Sequence, residues 1–128
     1  MSEARQRLGR AAENLVACDL EGQGMRIIER NVRVSGVRGE MDLIALDGRA
    51  LVFVEVKALS AASSRGPERP VLAVGLRKQR KLRSLATAWL RDRDGAVPPH
   101  STLRFDVVGV RLDAAGRPTE WEHLRAAF

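Results

Sequence analysis

A hairpin-like stretch between Gly39 and Lys57 constrains the fold of this chain more than any other feature. Two apolar runs, 43–46 and 51–54, flank an Asp-Gly pair at positions 47 and 48. Asp-Gly between apolar runs is typical of a tight turn that joins antiparallel β-strands. Because an unpaired charge is costly to bury, we expect the charged residues of these strands to have a role other than packing. There are four of them: Glu40, Asp42, Glu55 and Lys57.

The register of this hairpin decides whether Asp42 and Glu55 meet. Side chains alternate between the two faces of a strand, so Asp42 is expected to share its face with Glu40 and Ile44. A four-residue loop at 47–50 places Asp42 directly opposite Glu55, and a two-residue loop places it diagonally. Either register leaves the two β-carbons roughly 4.5–8 Å apart on one face, whereas a three-residue loop separates them.

Two carboxylates at this distance predict a bound divalent cation. They repel each other unless a proton or a cation lies between them. Hard oxygen ligands suit Mg²⁺ or Mn²⁺, so Asp42 and Glu55 are the candidate metal ligands. Lys57 lies two residues after Glu55 on the same face, where an ammonium can stabilise developing negative charge or handle an attacking water. Without a metal, we expect Lys57 to pair with these carboxylates.

The spacing of Asp42 and Glu55-Val56-Lys57 resembles the PD-(D/E)XK nuclease superfamily. The wider pattern is more similar to a YraN-like uncharacterised bacterial family, and this resemblance covers nearly the whole chain. Two positions depart from the expected pattern, because Met41 replaces the superfamily's proline and Leu59 stands where an arginine is expected. The matching blocks are RNVR at 30–33, GEMDLI at 39–44, VFVEVK at 52–57 and RFDVV at 104–108.

The resemblance implies an α/β fold and a DNA substrate. The expected architecture is a single domain over 1–128, with a mixed central β-sheet flanked by helices in a restriction-endonuclease-like core of order α-β-β-β-α-β. The implied activity is Mg²⁺-dependent hydrolysis of phosphodiester bonds in DNA, including branched or damaged DNA, as in the similar archaeal Holliday-junction resolvases. DNA is favoured over RNA, and a homodimer is expected because junction-cutting relatives act as dimers.

The first predicted helix, over about residues 3–22, supplies a possible third carboxylate. Its apolar stripe contains Val16, Ala17 and Leu20, and extending the stripe backward reaches Glu13. Glu13 either lies at the edge of this stripe with its carboxylate in water or points at the charged end of the hairpin. The resemblance favours the second alternative, because a glutamate on the first helix recurs in such nuclease sites.

The second predicted helix, over about 71–93 with a start as late as 74 or 76, brings polar residues to its core-facing side. Leu82, Leu85 and Trp89 follow the helical repeat, and running this stripe backward gives Lys78 and Gln79. The resemblance implies a catalytic role for Lys78 or Gln79 in orienting Lys57 and the attacking water.

Basic residues predict contacts to a nucleic-acid backbone. The chain has 22 Lys and Arg residues against 16 Asp and Glu residues, which gives a net charge of +6. A small basic domain is a candidate for a polyanionic partner, and its few aromatic residues favour backbone recognition over base stacking. For each basic residue the alternative is a solvated surface charge. The candidates for phosphate contacts are Arg80, Lys81, Arg83, Arg65 and Arg33.

Other features limit the location and the remaining elements. One cysteine, Cys18, permits no intrachain disulfide, and no apolar run approaches the length of a membrane span, so we expect a cytoplasmic protein that is not in the membrane. Strands are predicted at 25–34 and 103–112, with Asp106 in a salt bridge with Arg104 or another basic group rather than catalytic. Trp121 is expected to dock on the core with Leu124 and Phe128. The rival functions are a nucleic-acid-binding module without cleavage and a protein-interaction domain.

Overall fold

One five-stranded sheet organises the protein in the computed structural model, which describes residues 2–62 and 69–128. The strands lie in the sheet in chain order; β3 and β4 are parallel, and the other neighbours are antiparallel. This confirms the predicted α/β fold with a mixed sheet and adds a fifth strand to the predicted order. The elements are α1 (Glu3–Gly22), β1 (Arg26–Val34), β2 (Val37–Asp47), β3 (Ala50–Ser60), a 3-10 helix (Pro70–Ala73), α2 (Leu76–Arg93), β4 (Thr102–Leu112) and β5 (Pro118–Leu124).

Helix α1 covers one face of the sheet. It begins where the Ser2 hydroxyl accepts a hydrogen bond from the Arg5 amide at 3.2 Å, and it ends just before Gly24, whose φ of +94° is available to glycine at little cost. Its buried stripe packs against apolar side chains of the inner strands. The members of this cluster include Ala12, Val16, Ala17, Leu20, Leu43, Val52, Val54 and Val108.

Helix α2 covers the opposite face and connects the parallel strands β3 and β4, because parallel neighbours need a crossover connection. Its stripe packs on Ile44 and Phe53, and the Phe53 and Trp89 rings meet edge to face with centroids 6.0 Å apart. The helix starts at Leu76, within the predicted range. Neither helix in the described residues has a stretch long and apolar enough to cross a membrane.

The hairpin has the register that the predicted loop over 47–50 requires, up to the residues next to Asp42 and Glu55. Asp47 pairs with Ala50 around a Gly48-Arg49 turn, and the pairing continues to Leu43 opposite Val54. Continued by one residue, this register aligns Asp42 with Glu55, as the predicted loop over 47–50 required. The ladder of paired residues ends at Leu43 and Val54, although both strands continue.

The predicted side-chain alternation is wrong around Asp42. Met41 packs in the α2-side cluster, but Leu43 packs in the α1-side cluster, so the two do not share a face. The neighbouring strand changes faces as well, since Asn31 has a left-handed φ of +51°. A left-handed residue rotates the strand locally, which breaks the two-residue period on which the prediction rested. Glu40 therefore lies beside α1, whereas Ile44 packs under α2.

A buried acidic residue ties the C-terminal segment to the sheet. Asp106 is fully buried, and its carboxylate accepts hydrogen bonds from Arg104 Nε at 2.9 Å and from the Ala126 amide at 3.0 Å. His123 Nε2 lies 2.8 Å from the other oxygen. Burial alone raises the pKa of Asp106, but the hydrogen bonds from His123, Arg104 and the Ala126 amide together hold it below its ordinary value. The predicted Arg104–Asp106 salt bridge is thus confirmed.

The docking predicted for the chain end is only partly right. Leu124 and Phe128 pack against the α2-side cluster. Trp121 lies on the edge strand β5 and keeps 37% of its surface exposed. Its side chain belongs to the exposed first half of β5, whereas Leu124 lies in the partly buried last three residues of the strand, so the two do not share an environment.

Candidate metal and phosphodiester site

The point where β2 and β3 separate holds the two predicted metal ligands. Asp42 Oδ2 accepts a hydrogen bond from the Val56 amide at 2.8 Å, which takes the place of the next rung of the ladder. Glu55 is only 3% exposed, and Asp42 is partly buried. The two carboxyl groups are close enough for the charge of Glu55 to act on the ionisation of Asp42.

This proximity has a strong effect on the titration of Asp42. Burial raises its pKa first, and the hydrogen bond to Glu55 and the charge of Glu55 raise it further, to about 9. The Val56 amide acts in the opposite direction, because it stabilises the charged carboxylate. At neutral pH the pair therefore holds a proton in the absence of another cation.

Glu55 also has an oxygen without a hydrogen bond. Its Oε2 atom is buried and accepts no hydrogen bond. The Lys78 ammonium lies 3.2 Å away and forms an ion pair, although the geometry is not that of a hydrogen bond. A buried carboxylate oxygen that accepts no hydrogen bond has an unused lone pair. Together with the oxygens of a second carboxylate, it offers the hard ligands that a divalent cation such as Mg²⁺ prefers. The residues present therefore fit a Mg²⁺ or Mn²⁺ ion.

Lys78, rather than Lys57, is the lysine paired with Glu55, so the predicted pairing of Lys57 is wrong. Lys57 is partly buried on β3, and within the described residues it forms no ion pair. Lys78 reaches Glu55 because it lies in the first turn of α2, which begins over this end of the sheet. Within the described residues, therefore, no carboxylate pairs with the Lys57 ammonium.

Two further residues join the site from α1 and β1. Glu13 is half buried, and burial, followed by the charge of Glu40, raises its pKa. With the Asn31 amide oriented to satisfy its neighbours, its nitrogen donates to Glu13 Oε1 at 2.7 Å and to Glu40 Oε1 at 3.0 Å. Glu13, Glu40 and Asp42 each place one oxygen within 4.8 Å of the others. The structure therefore places Glu13 near the hairpin carboxylates, as one of the two alternatives predicted.

The sequence interpretation missed Glu40 and Asn31 as parts of this site. Glu40 is one of the four charges that interrupt the hairpin, which was the available signal. Strict alternation placed it on one face with Asp42 and Ile44, but no role in the site was assigned to it. For Asn31, a left-handed backbone is the decisive feature, and asparagine is among the residues that tolerate it. The spacing of apolar residues along the sequence does not indicate a left-handed backbone conformation.

The other predicted polar residue of α2 has a structural contact. Gln79 is partly buried, and its Nε2 donates a hydrogen bond to the Val74 carbonyl at 3.1 Å. This bond joins the first turn of α2 to the 3-10 helix that precedes it. Gln79 thereby helps to set the position of its neighbour Lys78.

The predicted phosphate-binding residues differ in their surroundings. Arg80 and Lys81 are exposed on α2, and the Lys81 stem passes over Gly39, where an added Cβ would lie 3.2 Å from Lys81 Cδ. Arg83 lies over the rings of Phe105 and Phe128, 5.0 and 5.4 Å from their centroids. Arg33 pairs with Glu40 at 3.0 Å. Arg65 lies outside the described residues.

Comparison with known proteins shows the family of this chain. The model of uncharacterised protein family UPF0102 matches residues 12–110, which include every residue placed in the site above. A UPF0102 protein of Arthrobacter sp. (strain FB24) is 47% identical over 95% of this chain and 96% of its own length. A UPF0102 protein of Streptomyces griseus is 48% identical over the same shares, and one of Chlorobaculum parvum is 43% identical over 98% of this chain and 94% of its own length. The chain therefore belongs to the uncharacterised protein family UPF0102.

Proposed function

We propose that this protein is a Mg²⁺- or Mn²⁺-dependent phosphodiesterase that acts on DNA, and that it belongs to the PD-(D/E)XK nuclease superfamily. The observation that supports this most is the Asp42–Glu55 pair. One carboxyl group has its pKa raised to about 9, and the other has a buried oxygen without a hydrogen bond. A pair that serves packing alone would be better replaced by apolar residues, because both groups pay for desolvation.

Asp42 and Glu55 would hold the metal, and Glu13 and Glu40 would add charge or ligands from the α1 side. A bound divalent cation polarises a phosphoryl oxygen and lowers the pKa of a coordinated water. The Val56 amide orients the Asp42 carboxylate, and Asn31 orients Glu13 and Glu40, so the acidic groups are positioned before any ligand arrives. This arrangement limits the reorganisation that substrate binding would require.

Lys57 is the residue we assign to the phosphate undergoing attack. It follows Glu55 by two residues on β3, and in the described part of the chain its ammonium has no competing carboxylate. An ammonium in this position positions the attacking water and stabilises the negative charge that grows on the phosphate oxygens. Lys78 and Gln79 set the position of α2 beside Glu55 and Lys57.

The DNA backbone would lie along the start of α2. Arg80 and Lys81 are exposed there, a few residues after Lys78 reaches Glu55. Exposed cations beside a phosphodiester site supply the sequence-independent part of DNA affinity. Arg83 and Arg33 have intramolecular partners, so we expect Arg80 and Lys81 to contribute more than these two.

The decisive experiment is cleavage of end-labelled linear, nicked and four-way branched DNA with Mg²⁺ or Mn²⁺. Cleavage should require the metal and should be lost in Asp42→Asn and Glu55→Gln, while the matched surface variant Glu120→Gln keeps it. In calorimetric titrations, both site variants should lose Mn²⁺ binding. Wild-type protein that binds neither Mn²⁺ nor DNA would overturn the proposal. Binding without cleavage would instead support a nucleic-acid-binding module, and a homodimer is testable by sedimentation in the same buffers.

A further inference from the structure

Two exposed leucines stand beside the candidate site. Leu72, in the 3-10 helix, is 59% exposed, and Leu76, the first residue of α2, is 69% exposed. Their neighbours Val71 and Val74 are buried in the α2-side cluster. Only four large hydrophobic side chains are exposed in the part of the chain that the structure describes, and these two lie within five residues of each other. A single exposed leucine is ordinary, but two on one anchored segment call for an explanation.

The segment that displays them is held rigidly. A Cβ at Gly109 would lie 2.8 Å from the Val71 backbone nitrogen, so the 3-10 helix packs directly on the backbone of β4. Upstream, Arg69 Nε donates to Glu122 Oε1 at 2.9 Å on β5. Downstream, Gln79 Nε2 donates a hydrogen bond to the Val74 carbonyl oxygen. The segment is thus fixed to two strands and to α2 while the two leucines point outward.

The same attachments place the leucines next to the proposed chemistry. Gly109 is the register partner of Lys57 across the parallel β3–β4 pair. Two residues after Leu76, Lys78 reaches Glu55. Arg80 follows Leu76 by one helical turn, so the two share a face of α2. Exposed leucines with cations on either side would suit a partner that combines negative charge with apolar surface. DNA with accessible bases is such a partner.

We propose that Leu72 and Leu76 form an apolar wedge that inserts at an interruption of base stacking, which makes branched or kinked DNA the preferred substrate. This inference rests on the proposed function, because it assumes that the phosphodiester is in DNA. Apolar side chains of other DNA-binding proteins enter base steps in this way, at a cost of a few kcal/mol per unstacked step. The cost is smallest where stacking is already interrupted, and a rigid wedge loses little conformational entropy on insertion. The leucines would therefore select DNA structure rather than sequence.

The test compares binding to a four-way DNA junction with binding to a linear duplex of the same composition, in EDTA so that no cleavage occurs. The variants are Leu72→Ser/Leu76→Ser and, as a matched control, Leu103→Ser, a leucine 49% exposed at the start of β4. The double variant should lose about tenfold in junction affinity and less than about twofold in duplex affinity, since it removes wedge contacts but no cation. Leu103→Ser should match the wild type. A 2-aminopurine base at the branch point should fluoresce less with the double variant, because less unstacking occurs.

Unchanged junction preference and fluorescence in the double variant would overturn the wedge while leaving metal-dependent cleavage intact. A wild-type protein that binds no DNA would overturn both the wedge and the proposed function. A drop in sedimenting mass of the double variant, with DNA binding preserved, would identify the leucines as a contact between copies of the chain and would also overturn the wedge.

Discussion

The ammonium of Lys78, on the first turn of α2, lies 3.2 Å from the buried Oε2 atom of Glu55 on β3. This ion pair joins the helix that carries the exposed cations to the strand that carries the candidate metal ligand. A lysine in this position supplies the positive charge that the carboxylate pair needs when no metal is bound. A cation entering the site and Lys78 are therefore competitors for Glu55.

The first prediction follows from this competition. Lys78→Met removes the ammonium but keeps most of the aliphatic stem, so Mn²⁺ should bind about five- to tenfold more tightly. Calorimetric titration of Mn²⁺ measures the change. Lys81→Met, one turn along the same helix and without an ion pair among the described residues, should leave the affinity unchanged. Weaker binding in Lys78→Met would show that Lys78 supports the metal rather than competing with it.

The second prediction concerns the stability of the metal-free protein as a function of pH. The pKa of Asp42 is raised from 3.8 to about 9 in the folded chain. Between these values the folded state binds more protons than the unfolded state, so the contribution of Asp42 to the free energy of unfolding falls as pH rises. Asp42→Asn cannot ionise, and its stability relative to wild type should therefore increase steadily from pH 5 to pH 9.

Urea denaturation in EDTA at pH 5, 7 and 9 measures this difference. Asp92→Asn, which alters an exposed pair with Arg91, is the control and should show no such trend. A difference between Asp42→Asn and wild type that is constant across this range would contradict the proton shared by Asp42 and Glu55.

The third prediction separates catalysis by Lys57 from structure. Lys57→Ala should keep the fold, Mn²⁺ binding and DNA affinity near wild type, because Lys57 forms no ion pair among the described residues. Cleavage should fall by about 10²-fold or more, as for loss of one electrostatic stabiliser. Lys57→Arg should not restore it, since a planar guanidinium cannot reproduce a compact ammonium. Single-turnover cleavage rates measure the effect, and full activity in Lys57→Ala would remove this residue from the mechanism.

The fourth prediction distinguishes exposed cations from stacked ones. Arg80→Glu/Lys81→Glu should weaken DNA binding about equally for all sequences and reduce the slope of log affinity against log salt by about two. Arg83→Glu should instead lower the thermal stability, because its guanidinium lies over Phe105 and Phe128. Fluorescence anisotropy at several salt concentrations and thermal melts test both statements. An unaffected slope would make Arg80 and Lys81 ordinary solvated charges.

The fifth prediction concerns the buried carboxylate of β4. Asp106→Asn removes the ion pair with Arg104 and alters the hydrogen bond with His123, and it should cost about 3–5 kcal/mol of stability, as for removal of one partner of a buried ion pair. Chemical denaturation at pH 7 measures the loss. Glu3→Gln, which alters the exposed Arg7–Glu3 pair at 3.7 Å, should change stability little. A small effect in Asp106→Asn would mean that the pair is replaceable by neutral hydrogen bonds.

Contacts between segments that are close in the chain were largely predictable. The Asp-Gly turn and the two apolar runs indicated the hairpin, whose pairing runs from Asp47–Ala50 to Leu43–Val54 and so ends one residue before Asp42 and Glu55. The apolar repeats predicted both helices to within a few residues and, carried backward, pointed to Glu13, Lys78 and Gln79. These features follow from turn chemistry and from the 3.6- and two-residue periods, which are properties of local sequence.

The partners of the site residues were not predictable in this way. Glu40 and Asn31 join Glu13 because one left-handed residue and a change of face in two strands interrupt the period. Lys78 displaces Lys57 from Glu55 because of where α2 begins above the sheet. Arg83 is engaged with Phe128, a residue 45 positions away in the sequence.

The sequence by itself therefore determined both helices, the hairpin and the strands before and after it, and it limited the hairpin to a few registers, most of which bring Asp42 near Glu55. Only the tertiary structure decided which charges are paired, which cations remain available and which leucines stay exposed beside the site. The physical reason is that pairing depends on distances of a few ångströms between elements. Those distances are set by how the helices pack on a locally rotated sheet, and no periodic pattern along the chain encodes them.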